Sequence, residues 1–361
     1  MSLHHQFFSL FCRTLCMILK INNKIFRHRK RVLLVKMDGV GDMLLFLPCL
    51  KVIQQECEAR SHELIFVVTP VSAALLRRIG IHGKVIIPPP YKGFLQWAFF
   101  RFCFYFRNYA DIVIKAQCLP SELIECYPSA QVISCGIRSL DRECSIDISG
   151  KSVYQWNEAI LKQLGISGFR TAAIEYSIFC DPLPAGNILP EKYIVICPDA
   201  SDLHRCWEME KFARLITVLY QKYSCGIILI GKDVRRGRFL QEKCGCPDVV
   251  RDWTGKTDIF QLFTVVKNAL FLVSNDTGTA HIGALTGTKT FIICGKGHYG
   301  LFVPYPPDKE GTLVFSIFSR GECSNCNWLA SCIDMKSEET YRCIAEISVD
   351  DVITTICENY G

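Results

Sequence analysis

Two glycine-containing turns hold the side chains of this sequence whose types and spacing could do chemistry. The first, Asp38-Gly39-Val40-Gly41-Asp42, follows the apolar run Val32 to Val35 and precedes the helical run Met43 to Gln55. A carboxylate in such a turn could act as a general base toward a hydroxyl. Gly39 and Gly41 suit nucleotide binding and plain chain reversal equally, so the turn alone does not choose between them. It is not Gly-x-Gly-x-x-Gly and lacks the Gly-Lys-Ser/Thr ending of a P-loop, which argues against a dehydrogenase and against an NTPase.

The second turn, Ser274-Asn275-Asp276-Thr277-Gly278-Thr279-Ala280-His281, also follows a strand-like run and opens a helix. Small residues and unpaired backbone N–H groups at a helix start can cradle a phosphate. Asp and Thr equally cap a helix with no ligand present, and the spacing leaves both readings open. His281, a lone histidine, reads by itself as structural before functional.

A third cluster, Cys323-x-x-Cys326 followed by Cys332 and Cys343, has the one ligand-like cysteine spacing. Four thiolates could hold Zn²⁺ tetrahedrally, but the last gap is irregular and only one tight pair is present. Most of the 21 cysteines sit singly in apolar segments such as Val195-Ile196-Cys197, where a thiol behaves as a small hydrophobe. The first apolar stretch precedes its basic cluster and lacks a small-residue cleavage site. A reducing cytoplasmic setting without disulfides is therefore expected.

The elements that must position these residues follow from length and periodicity. A chain of 361 residues exceeds one ordinary hydrophobic core, so two domains are expected. Half of the residues are hydrophobic and 21% are charged, which excludes long disorder and a series of membrane spans. The net charge of +6 suits an anionic partner such as a nucleotide or an acidic lipid surface. Short apolar runs alternate with helical patterns from Arg31 onward, the signature of strand-helix units around a parallel sheet. Strands are expected at Val32 to Val35, Leu64 to Val68, Lys84 to Ile87, Asp111 to Lys115 and Gln131 to Ser134. After the linker-like stretch Asp181 to Asn187 the alternation restarts, with strands at Tyr193 to Cys197, Gly226 to Ile230, Leu270 to Val273 and Thr290 to Ile293. Helices are expected at Met209 to Tyr223, at Ile259 to Val266 and from about Gly278. The aromatic segment Phe94 to Phe106 reads as a helix packed on the sheet, with a membrane-facing or acceptor-facing surface as the alternative.

The fold class is thus α/β, with two Rossmann-like doubly wound domains facing a central cleft. The expected divisions are a basic amphipathic segment over 1–30, a first Rossmann-like domain over 31–183, a second over 190–345 and a C-terminal helix over 346–361. In helical projection Phe7, Phe8, Phe11, Leu15, Ile18, Ile25 and Phe26 gather opposite Arg13, Lys20, Lys24 and Arg27. That pattern fits a helix lying on an anionic membrane surface, extended by the cations His28 to Arg31, and also fits a helix packed on the protein body.

Read in order, these motifs resemble glycosyltransferase family 9, the heptosyltransferases of the lipopolysaccharide core. The likeness is carried by Asp38 to Asp42 with Met43-Leu44-Leu45-Phe46-Leu47-Pro48, by Cys197-Pro198-Asp199-Ala200-Ser201 with Arg205-Cys206-Trp207, and by Ile230-Gly231-Lys232-Asp233. Thr254-Gly255-Lys256-Thr257 and Asp276 to His281 complete it, over about residues 31 to 355. The resemblance implies a GT-B fold and inverting, metal-independent transfer from a nucleotide diphosphate sugar, usually ADP-heptose, to a core or other lipid-linked glycan. It gives Asp42 the part of the base, Asp276, Thr277, Gly278, Thr279 and His281 the diphosphate turn, Arg205 a contact near the phosphates and Asp233 one near the nucleoside. No cofactor and no nucleic-acid partner are implied, and the location is the cytoplasmic face of the inner membrane. A similar cysteine-bearing loop occurs in parts of the family, so Cys323 to Cys343 is read as such a loop, with no metal assigned and Zn²⁺ as the alternative. Asp199 departs from the family, which commonly has glycine there, as does Glu208, where a proline often follows the tryptophan, and a carboxylate near donor phosphates is unfavourable unless it points away or meets a different sugar. A catalytically silent nucleotide-sugar-binding scaffold is the rival from another functional class.

Overall fold

The computed structural model describes residues 29–89, 96, 100, 103–104, 107–117, 131–136, 145–148, 150–166, 174–184, 186–297, 299–305, 313–321, 326, 332 and 340–360. Apart from Arg29 and Lys30, the amphipathic segment over 1–30 lies outside the described residues. The chain divides into two compact units, 1–174 and 175–361.

The first unit is built as β1 (Arg31–Lys36), α1 (Val40–Ala59), β2 (Glu63–Val68), α2 (Pro70–Arg78), β3 (Lys84–Ile86), β4 (Ile112–Lys115), β5 (Gln131–Gly136), β6 (Ile146–Asp147) and α3 (Val153–Gln163). Its six strands are parallel in the order β3-β2-β1-β4-β5-β6. Residues 32–36 of β1 and 64–68 of β2 are all buried, which is why both read as unbroken apolar runs rather than alternating ones. From the aromatic segment, Phe100 and Phe104 stack at 5.8 Å, and Phe104 packs with Leu33, Val35, Ile65, Val67 and Val113. Those two rings have the packed role, while most of the segment lies outside the described residues.

Helix α1 buries residues nearly all round, including Leu44, Phe46, Leu47 and Leu50. Pro48 lies inside it and cannot donate to the Leu44 carbonyl. Beside that break, Asn157 Nδ2 of α3 donates to Leu45 O at 3.1 Å and Cys49 Sγ donates to Asn157 O at 3.6 Å. The helix that carries Gly41 and Asp42 in its first turn is thereby fixed to α3 beside Pro48.

The second unit contains β7 (Tyr193–Cys197), α4 (Met209–Tyr223), β8 (Gly226–Leu229), α5 (Val234–Lys243), β9 (Val250–Asp252), α6 (Ile259–Lys267), β10 (Leu272–Asn275), α7 (Gly278–Thr286), β11 (Thr290–Ile293), β12 (Val314–Ile317), α8 (Arg342–Ala345) and α9 (Val349–Tyr360). Its parallel order β12-β11-β10-β7-β8-β9 repeats that of the first sheet. Fully buried Trp207 anchors the core, with its indole N–H donating to Ile347 O at 2.9 Å and so tying the C-terminal helices to the sheet.

The division between units precedes the proline-containing stretch expected to be a linker. Phe179 packs on Phe260 and Phe263, Asp181 N donates to Phe260 O, and Thr264 Oγ1 donates to Asp181 O at 2.6 Å. Residues 175–184 therefore belong to the second unit, because these apolar and backbone contacts hold them against α6.

Candidate active site

In each sheet the chain turns one way from the first strand and later returns to its other side, leaving a switch point at the carboxyl ends of β1 and β4, and of β7 and β10. Ligands of doubly wound sheets bind at such points.

At the first switch point, β1 ends in Lys36, a buried cation. Its Nζ donates to Ala116 O at 2.7 Å and to Asp38 Oδ2 at 2.9 Å, and stands 5.2 Å from the centre of the Phe46 ring. Met37 N donates to Gln117 Oε1 at 2.8 Å, so the turn is fastened to the residues following β4. Gly39 is the N-cap of α1 with extended backbone, and a Cβ there would stand 3.0 Å from Asp42 Oδ2. Close approach of that carboxylate, not a positive φ, is what glycine permits here. Gly41 is buried, and Asp42 is half-buried in the first helical turn, where the helix dipole favours an anion.

Asp38 was not singled out by the sequence. One of its oxygens pairs with Lys36, and the other, Oδ1, is buried with no hydrogen-bond partner among the described residues. Burial, opposed by Lys36 and reinforced by Asp42, raises its pKa to about 6. The legible signal was a lysine closing an apolar strand two residues before an aspartate.

At the second switch point, buried Asn275 ends β10 and spans the loop that leaves β7. Its Nδ2 donates to Pro198 O at 2.6 Å and its Oδ1 accepts from Trp207 N at 3.0 Å. Both ends of residues 198–207 are held by one side chain, and this loop carries Asp199, Ser201 and Arg205. Arg205 lies in the single 3₁₀ turn Leu203–Arg205, capped by Asp202, and its Nη2 donates to Ser201 Oγ at 2.7 Å.

The turn after β10 begins with Asp276, whose N–H donates to Ile293 O at 3.2 Å. Thr277 is the N-cap of α7, yet its side chain makes no capping hydrogen bond. The capping alternative therefore lacks its defining contact at Thr277, and the first-turn amides that follow, at Gly278 and Thr279, are not satisfied by that hydroxyl. A Cβ at Gly283 would overlap Thr290 Oγ1 and stand 2.9 Å from Leu272, so α7 lies tightly on β10 and β11. His281 is buried and its Nδ1 pairs with Tyr305 Oη, which places it inside the fold below the turn.

Asp233 caps α5, accepting from Arg235 N at 3.0 Å and from Arg235 Nη2 at 3.0 Å. The hydrogen bond from Arg235 lowers its pKa, and this carboxylate is committed to its own helix. Asp199 is turned onto the same segment: its Oδ2 accepts from Lys232 N at 2.5 Å and Asp233 N at 3.0 Å. Gly231, at φ +147°, has no room for a Cβ beside that oxygen. One oxygen of Asp199, where the resembled family commonly has glycine, thus points at backbone amides, while Oδ1 is buried with no hydrogen-bond partner among the described residues. Gly255, of the Thr254-Gly255-Lys256-Thr257 motif, donates from its N–H to Gly231 O at 2.7 Å and closes the turn from the other side.

Of the cysteine cluster, Cys343 is buried and its Sγ accepts from Lys296 N at 3.4 Å, Cys326 is half-buried and Cys332 exposed, while Cys323 lies outside the described residues. Among the described residues no group of three or more His, Cys, Asp or Glu side chains could hold a metal ion.

Comparison with known proteins bears on both units. Residues 161–323 match the sequence model of glycosyltransferase family 9 (heptosyltransferase). Lipopolysaccharide heptosyltransferase 3 of Escherichia coli (strain K12) is 24% identical over 215 residues, which cover 55% of this chain and 62% of that relative. The E. coli heptosyltransferase WaaC with ADP is similar over 91% of this chain and 99% of that one, with TM-score 0.63 and 21% identity. E. coli ADP-heptose lps heptosyltransferase II is similar over 91% of this chain and 98% of its own, with TM-score 0.59 and 15% identity. These structural likenesses establish the GT-B fold. Over residues 161–323, less than half of its length, the chain is similar to glycosyltransferase family 9.

Proposed function

We propose that this protein transfers a heptose or related sugar from a nucleotide diphosphate sugar, ADP-heptose being the first choice, to a lipopolysaccharide-core or other lipid-linked glycan, with inversion and without a catalytic metal. The observation that carries this reading is the α7 start, which has no side-chain cap from Thr277 and lies at a switch point beside a loop clamped by Asn275. The E. coli relatives are named for heptosyl transfer, and one was solved with ADP. In the proposed reaction an acceptor oxygen forms a bond to the sugar's anomeric carbon as the bond to the diphosphate breaks. The acceptor proton goes to Asp42, and the electron pair of the broken bond goes to the diphosphate. Backbone amides at Gly278 and Thr279 stabilise that growing charge, with Arg205 adding a charge-assisted contact.

A thermal-shift series over nucleotide diphosphates and their sugars tests donor class. At a hundredfold excess over Kd, a ligand of the folded state adds about 2.7 kcal/mol, which raises Tm by on the order of 5 °C. ADP-heptose is expected to give the largest shift and to support product formation with core acceptors. Binding without turnover across a broad acceptor panel would favour a silent binding protein instead, and no shift from any nucleotide diphosphate would overturn the reading.

We further place the enzyme at the cytoplasmic face of the inner membrane. The support is the segregation of apolar and basic residues over 7–27, continued by Arg29 and Lys30. No helix among the described residues is long and apolar enough to cross a membrane. Removing residues 1–30 is expected to leave donor binding intact and to abolish most partitioning onto anionic vesicles, with added salt reducing partitioning of the full chain. Equal partitioning of both forms at low and high salt would return the segment to a packing role.

A further inference from the structure

Arg205 sits in a single 3₁₀ turn of three residues, too short to fix a long cationic side chain by its own hydrogen bonds. Within the turn Arg205 N donates to Asp202 O and Cys206 N to Leu203 O, both at 3.0 Å, and the Asp202 side chain caps it by accepting from His204 N. The carbonyls on either side of Arg205 are held from much further along the chain. Tyr341 N donates to His204 O at 2.8 Å, and Thr340 Oγ1 donates to Cys206 O at 2.8 Å across 134 residues. The rings of His204 and buried Tyr341 meet at 5.7 Å on the same seam.

The segment that supplies these donors is itself anchored. Lys211 Nζ of α4 donates to Ala345 O and Ile347 O, and the Trp207 indole donates to Ile347 O. Cys343 Sγ accepts from Lys296 N in the loop that leaves β11. Because β7 and β11 flank β10 in the sheet, residues 340–347 are bonded to the loops that leave both neighbours of the strand before α7.

Resting on the reading of Arg205 as a phosphate contact, we propose that residues 340–347 are a strap that positions the loops flanking the α7 turn, and that Thr340 is the positioning residue for Arg205. Thr340 acts through the backbone: its hydroxyl fixes the Cys206 carbonyl while the adjacent N–H of Tyr341 fixes that of His204, so Arg205 projects from a chain tied on both flanks. The bond from Arg205 Nη2 to Ser201 Oγ then orients the guanidinium relative to that chain. A long side chain ordered before its ligand arrives loses less freedom on binding, and the gain falls on affinity for the group it meets, here a diphosphate. Without the Thr340 hydroxyl the turn keeps its local bonds, the Cys206 carbonyl loses its donor, and Arg205 must be ordered at the moment of binding.

The test is calorimetric titration of ADP and of adenosine into full-length wild type, Thr340→Val, Thr340→Ser, Arg205→Ala and the double variant Arg205→Ala with Thr340→Val. Thr340→Val is expected to weaken ADP binding by about three- to tenfold, the scale of one net hydrogen bond, and to leave adenosine within about twofold of wild type. Thr340→Ser keeps the donor and is expected to bind ADP as wild type does. Because the effect passes through Arg205, adding Thr340→Val to Arg205→Ala should change ADP affinity by less than about twofold. Unchanged ADP affinity in Thr340→Val, an equal loss for adenosine, a full loss that persists without Arg205, or failure of Thr340→Ser to restore binding would each overturn the proposal. Thr340→Ala, which removes the hydroxyl and the branch together, stands in if the valine variant does not fold. An ADP affinity that Arg205→Ala does not lower removes the phosphate contact itself and the proposal with it, a result told apart from the others because it is read with Thr340 intact.

Discussion

Asp42→Asn is expected to lower kcat by about 10²–10⁴-fold while donor affinity stays close to wild type. The amide keeps the shape that fits against Gly39, where the carboxylate oxygen would stand 3.0 Å from a Cβ, so the turn need not rearrange. What it loses is the basicity that the proposed proton transfer from the acceptor to Asp42 requires. Asparagine in a helical first turn forfeits only the interaction of a charge with the helix dipole, about 0.3–1 kcal/mol, so an unfolded variant is not the expected cause of inactivity. Steady-state kinetics with both substrates saturating, together with ADP binding by calorimetry, separate the two contributions. Because the proposed donor contacts are all in residues 205–281, calorimetry is expected to show no more than a small change. Turnover near the wild-type rate would remove Asp42 from the base role.

The parts of this architecture that were legible beforehand are those in which one residue class dominates a continuous stretch. Tyr193–Cys197 and Thr290–Ile293 are buried on both faces and could be bounded without error, as could Met209–Tyr223 with its apolar stripe. The edge strands Ile146–Asp147 and Val250–Asp252 were not assigned, because two or three residues carry no period. Helix Val234–Lys243 was also missed, since only Gly237 and Leu240 are buried and the rest is mostly charged. In the candidate site the turns were readable as glycine-bearing strand-to-helix junctions, but not the residues that aim them. Asn275 acts through partners 77 and 68 residues away, and Lys36 through a carbonyl 80 residues away. Such roles depend on which strands become neighbours, and local spacing does not contain that. Asp233, expected as a nucleoside contact, accepts in the structure from the backbone and guanidinium of Arg235 two residues on, a local contact that spacing does make readable.

Gly278→Val is expected to weaken binding of ADP or ADP-heptose at least tenfold while leaving the affinity for adenosine nearly unchanged. Gly278 is the first residue of α7 and directly follows Thr277, whose side chain leaves the helix start without a capping bond. If a diphosphate rests against the amides of Gly278 and Thr279, its oxygens must come within hydrogen-bonding distance of that backbone, where a branched side chain obstructs them. The loss should fall on compounds that carry the diphosphate, since adenosine makes no demand on this turn. A turn that merely starts a helix predicts a different outcome. Valine there would change stability by up to about 1 kcal/mol through helix propensity and crowding, and the folded fraction would bind both compounds as wild type does. Calorimetric titration of adenosine and ADP into the folded variant separates the two, with Tm recorded alongside to monitor stability. A tenfold loss corresponds to about 1.4 kcal/mol, which such titrations resolve readily. The tight seat of α7 at Gly283 against Thr290 and Leu272 keeps the helix from shifting to relieve the obstruction, so the effect should appear in affinity rather than be absorbed by the fold. An unchanged ADP affinity in folded Gly278→Val would overturn the placement of the donor diphosphate at this turn.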